Sequence, residues 1–142
     1  GDLAVRSFNR MVYAVMPTTG VIGKVTRYGK IEETFMPGSD KGTIGGLAWD
    51  QVNDRLLVLY AGSNEVVTYD DESVEVSRIR LAAEVRPRTL AYDSNRARFY
   101  VPLAEPGWLG EFDVEGRLLD RLPWPDGMTA IDAGQRSLVR LF

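Results

Sequence analysis

The side chains available for chemistry in this chain are carboxylates, amides, hydroxyls, ammonium and guanidinium groups, because its 142 residues include no histidine and no cysteine. Without imidazole there is no Ser-His-Asp relay, no ordinary general base near neutral pH and no imidazole metal ligand. Without thiol there is no disulfide and no thiolate metal site. Oxygen chemistry remains. Asp40, Asn64, Glu65, Glu105 and Asp126 are hard ligands of the kind calcium or magnesium takes. Thr18, Lys41, Arg86 and Arg88 can hydrogen-bond to or pair with a polar ligand, and the ring of Trp108 can stack on one. The stretch 37–43 (Pro37-Gly38-Ser39-Asp40-Lys41-Gly42-Thr43) lacks the order G-x-x-x-x-G-K-[ST] and precedes no helix, so it reads as a turn and not as a phosphate loop.

The elements that must position these residues repeat along the chain. Leu3-Ala4-Val5, Leu47-Ala48-Trp49, Leu90-Ala91-Tyr92 and Thr129-Ala130-Ile131 open four similar passages, at offsets of 44, 43 and 39 residues. Each is followed by an arginine and an apolar run, at Arg10-Met11-Val12-Tyr13, Arg55-Leu56-Leu57-Val58, Arg98-Phe99-Tyr100-Val101 and Arg136-Ser137-Leu138-Val139. Alternating apolar residues between Gly, Asn, Asp and Pro clusters place four short strands in each period. These are 2–6, 11–15, 21–27 and 30–36, then 46–50, 56–60, 65–70 and 74–81, then 89–93, 99–103, 108–113 and 117–124. A final pair covers 128–132 and 137–141.

A four-stranded sheet cannot bury both faces alone, and about 40 to 45 residues per four-stranded unit is the period of a propeller blade. The expected fold is therefore all-β: β-propeller blades in one domain over 1–142, with repeats at 2–45, 46–88 and 89–127 and a half repeat at 128–142. Three and a half blades do not close a standard ring. The expectation is a partial propeller, completed by a second copy in a homodimer or belonging to a larger propeller.

Two segments carry a family resemblance. Leu90-Ala91-Tyr92-Asp93 running into Arg98-Phe99-Tyr100-Val101, and Glu111-Phe112-Asp113-Val114-Glu115-Gly116-Arg117-Leu118-Leu119, resemble a blade of the NHL-type and lactonase-like propellers. The resemblance rests on scaffold residues. It implies a loop face where ligands or partners bind, and lactonase-like relatives imply a carboxylate and amide metal site on the axis. Asp50, Asp93 and Asp132 recur before the arginines, with Arg6 in the first repeat, and are expected to pair with them across the hairpin.

Composition narrows the partners. The net charge of −3 comes from interspersed signs, so no basic stripe exists to neutralise a nucleic acid backbone. No apolar run reaches the eighteen residues of a membrane-spanning helix, and no leader pattern opens the sequence. The compartment stays open. The site residues named above fall in the loops joining the second strand to the third and one blade to the next, or at the following strand starts. The favoured reading is a non-enzymatic module binding a partner protein or small polar ligand there, with no cofactor. The alternative is a lactonase or hydrolase relative using a divalent cation such as calcium.

Overall fold

A computed structural model describes residues 3–6, 11–15, 22–25, 31–35, 43–124, 131–133 and 139–141, with side chains at Ile22 and across 43–124. The strands are β1 (Leu3–Arg6), β2 (Met11–Val15), β3 (Ile22–Val25), β4 (Ile31–Phe35), β5 (Ile44–Asp50), β6 (Arg55–Tyr60) and β7 (Glu65–Tyr69). They continue with β8 (Glu75–Arg80), β9 (Ala91–Asp93), β10 (Arg98–Pro102), β11 (Trp108–Phe112), β12 (Leu118–Pro123), β13 (Ile131–Ala133) and β14 (Val139–Leu141). The described residues form three four-stranded antiparallel sheets, β1–β4, β5–β8 and β9–β12, and the hairpin β13–β14. The expected strand at 74–81 is observed at Glu75–Arg80, while β9 starts two residues later than expected and β5 two earlier.

Turn chemistry fixes each hairpin. Asp50 Oδ1 accepts from the backbone N–H groups of Val52 and Asn53 at 3.0 and 3.1 Å. Asp93 Oδ1 does the same for Asn95 and Arg96 at 3.0 and 3.2 Å. Asp54 and Ala97 then take left-handed φ values of 57° and 56°, which reverse the chain into the second strand. The register sets Asp50 opposite Arg55 and Asp93 opposite Arg98, as the repeat predicts. The expected Asp50–Arg55 ion pair does not form among the described residues, and Arg98 donates to the carbonyls of Arg96 and Ala97. In both turns Oδ1 takes two backbone N–H groups, while Asp93 Oδ2 is buried without a hydrogen bond among the described residues.

The turns from third to fourth strand use the same device. Asp70 Oδ1 accepts from Glu72 and Val74, and Asp113 Oδ1 from Glu115 and Arg117. Ser73 and Gly116 supply the left-handed residue at φ 65° and 86°. Past each of these turns the pairing skips one residue, Glu32, Val76 or Leu119, so the outer strand carries a bulge in all three sheets.

Strand alternation gives the second sheet two apolar faces, each covered by a neighbouring sheet. Leu47, Trp49, Leu56, Val58, Tyr60, Val67 and Tyr69 pack with Ile22 of the first sheet. From the opposite face, Ala48, Leu57, Leu59 and Val66 pack against Leu90, Phe99, Val101, Leu103 and Phe112 of the third. Within the first layer the hydroxyls of Tyr60 and Tyr69 bond at 2.8 Å. Burial, followed by this bond and the nearby Glu75, pushes the Tyr60 pKa far above its usual value.

The first strands stand beside one another, β1 next to β5, β5 next to β9 and β9 next to β13. The sheets therefore fan outward from a common row of inner strands. Close approach at that row explains Gly46: a Cβ there would lie 2.8 Å from Leu90 N, inside any tolerable contact. Among the described residues no helix is long and apolar enough to cross a membrane.

Candidate functional site

The segment that leaves β8 crosses to the third sheet and is held along its whole length. Leu81 N donates to Asn64 O at 2.8 Å, and Ala82 N to Gly116 O at 2.8 Å. Ala104 N then donates to Glu84 O at 2.9 Å, and Arg86 N to Pro102 O at 2.8 Å, with Val85 bridged to Leu103. The connector thus adds a short strand to the edge of the third sheet, beyond the start of β9. Buried Leu81, Val85 and Leu103 anchor it in the layer between the second and third sheets.

A cavity of about 400 Å³ lies at this junction, lined by Asn64, Arg80, Leu81, Ala82, Ala83 and Glu84. It sits on the rim side, since Arg80 ends the outermost strand of its sheet. Asn64, at φ 56°, closes the turn between β6 and β7, and its Nδ2 donates to Ala83 O at 3.1 Å. That bond fixes the amide orientation and leaves Oδ1 as an acceptor. Beside it, Ser63 Oγ is buried and has no hydrogen-bond partner among the described residues. Arg80 and Glu84 are exposed and have no ion-pair partner among the described residues.

The other residues named from sequence are spread around this junction. Glu65 pairs with Arg78 at 3.6 Å on the outward-running face of the second sheet. Arg86 Nε donates to Leu103 O at 2.9 Å, so its guanidinium fastens the connector. Arg88 is exposed, and its backbone N–H donates to Arg86 O at 2.8 Å. Glu105 pairs with Arg121 at 2.6 Å. Trp108 is 37 % exposed and pairs in register with Pro123. Its carbonyl accepts from Leu103 N at 2.9 Å, which sets it one strand beyond the bridge to Val85. Of the six among the described residues, only Asn64 lines the cavity. Thr18, Asp40, Lys41 and Asp126 lie outside the described residues.

Sequence reasoning missed Arg80 as a site residue, because it belongs to a strand whose other charges serve only an exposed edge. The signal was its position: the last strand residue before the apolar Leu81-Ala82-Ala83 connector faces the junction by necessity. No group of three or more metal-ligating side chains occurs among the described residues.

Comparisons with known proteins bear on the scaffold. No family model matches the chain, and no curated protein matches it. Solved structures do. A protein of unknown function from Bacteroides caccae is 13% identical, with a TM-score of 0.67 over 97% of this chain and 50% of its own. Kuenenia stuttgartiensis hydrazine synthase is 12% identical, with a TM-score of 0.66 over 96% of this chain and 39% of its own. Virginiamycin B lyase from Staphylococcus aureus is 14% identical, with a TM-score of 0.64 over 98% of this chain and 47% of its own. The chain spans half the length of these structures or less. At such identities the likeness concerns the fold alone, and it fits an all-β, propeller-type scaffold.

Proposed function

We propose that this chain is a non-enzymatic part of a β-propeller, of the NHL-like kind, that binds a partner protein or a small polar ligand on the face carrying its strand 2–3 loops and sheet-to-sheet connectors. The observation that carries the reading is the cavity at Asn64 and 80–84, which combines two unpaired charges, an amide and an apolar floor. A few polar groups converging on a concavity are the usual make-up of a small-molecule site. Backbone amide NMR of the full chain against a panel of small polar compounds tests it. Saturable shifts at Asn64, Ala82 and Ala83 support the reading, and an unresponsive junction overturns it.

The chain covers half or less of the solved structures it resembles. In this reading the array is completed by a second copy or by further propeller sequence. Sedimentation across a concentration series separates the two: a compact dimer supports the copy, and a monomer supports the longer chain.

The competing reading is a metal-dependent lactonase or hydrolase-like enzyme. Two of the similar structures bear enzyme names, which favours keeping it. Against it, two of its five candidate oxygen ligands are engaged elsewhere, Glu65 with Arg78 and Glu105 with Arg121. Thermal unfolding with and without calcium discriminates, since a cation bound only by the folded state raises the midpoint.

A further inference from the structure

Most arginines around the junction of the second and third sheets already have partners. Arg78 bonds Glu75 at 3.0 Å, Arg86 holds the Leu103 carbonyl and Arg121 holds Glu105. Arg80 and Glu84 differ: both line the cavity, both are exposed, and among the described residues neither has an ion-pair partner, including the other. The backbone between them is held at Leu81, Ala82, Ala83 and Glu84 by the bonds described above. Opposite charges are thus mounted on one pinned segment at separate points of the same cavity lining.

Resting on the ligand-binding reading, we propose that this cavity takes a small zwitterion, a molecule carrying a carboxylate and an ammonium group, with a free amino acid as the simplest member. The Arg80 guanidinium receives the carboxylate, for which its planar fork of donors is suited. The Glu84 carboxylate and Asn64 Oδ1 are acceptors and receive the ammonium; the bond from Asn64 Nδ2 to Ala83 O sets the amide orientation and leaves Oδ1 open as an acceptor. Ala82 and Ala83 supply methyl groups for a short apolar side chain. A volume of about 400 Å³ is near the lower end for ligand pockets, which suits a compact ligand.

The test titrates the full chain by amide NMR with four probes: L-alanine, N-acetyl-L-alanine without the ammonium, L-alaninamide without the carboxylate, and glucose. Alanine is expected to shift Asn64, Ala82 and Ala83 and to saturate, with each truncated analogue weaker by about tenfold or more, since a charged hydrogen bond is worth about 1.5–3 kcal/mol. In Arg80→Gln, alanine and alaninamide should bind equally; in Glu84→Gln, alanine and N-acetylalanine should. Both positions are exposed, and the same spectra verify that each variant is folded. Equal binding of all analogues by the unaltered chain, or binding of glucose alone, overturns the zwitterion assignment and leaves a ligand site standing. Silence of these amides toward all four probes overturns both.

Discussion

The backbone N–H of Gln51 donates to Ser94 Oγ across 2.8 Å, joining the first turn of the second sheet to the first turn of the third. The two residues occupy equivalent places, one after Asp50 and one after Asp93. The bond therefore runs from repeat to repeat and helps set how neighbouring sheets are placed. Ser94→Ala should lower stability by about 0.5–1.5 kcal/mol, the usual worth of one hydrogen bond. Urea denaturation measures it, and an unchanged midpoint would show that apolar packing alone sets the alignment.

Gly46 makes a steeper test. Its replacement by Ala drives a methyl group to 2.8 Å from both Leu90 N and Thr89 C. Backbone cannot rotate away as a flexible side chain would, so the inner strands must separate. The expected loss is about 1–3 kcal/mol, as for other overpacked sites. Thermal unfolding reads it, and a neutral result would mean the inner row tolerates widening.

Alkaline pH should weaken the fold. Burial, then the hydrogen bond to Glu111, pushes Tyr100 up to about 12, and burial, then the charges of Asp50 and Asp93, pushes Tyr92 up to about 12. Both exceed the ordinary 10.0, so the folded state holds these protons more tightly than the unfolded chain. Their contribution is complete below about pH 10 and is lost as pH rises toward 12. Stability measured from pH 9 to 12 should fall, and in Tyr100→Phe it should fall less steeply. Identical slopes would remove Tyr100 from the account.

Asp113 should respond at the acid end. The backbone N–H of Arg117, then that of Glu115, holds its carboxyl below the ordinary 3.8. Its contribution is therefore present above about pH 3.8 and is lost as pH falls through the lower folded value. Carboxyl carbon NMR should give a midpoint under 3.8. A midpoint at or above that value would mean the turn does not hold the carboxylate as described.

The inner hairpins were legible because one chemical solution recurs: an Asp whose carboxylate takes two turn amides, a left-handed residue, then an arginine. The residue types were visible at Asp50, Asp93, Arg55 and Arg98, but their partners were not. An Asp facing an Arg in register reads as an ion pair on charge alone, whereas nearby backbone N–H groups lie in fixed positions and need no side-chain ordering. Gly46 was opaque for a different reason. Its need for hydrogen in place of a methyl comes from Leu90, in another sheet, and nothing local to 43–47 expresses it. At the candidate site Asn64 was visible as a loop amide, and Arg80 was hidden by looking like any edge-strand charge.

The bulge shared by the three outer strands has a consequence for how this chain can vary. Glu32, Val76 and Leu119 each fall where the pairing skips, and Val76 and Leu119 are exposed despite being apolar. At Val76 and Leu119 the side chain answers to neither the ladder nor the buried layer, so the residue type there is free to change. Length is another matter. Deleting that residue would force the skipped pairing to close or shift the rest of the strand by one, and a one-residue shift exchanges the faces of everything downstream. The perimeter is thus permissive to substitution and strict about counting, and sequence drift there can redecorate the outer edge without redirecting what lies beneath it.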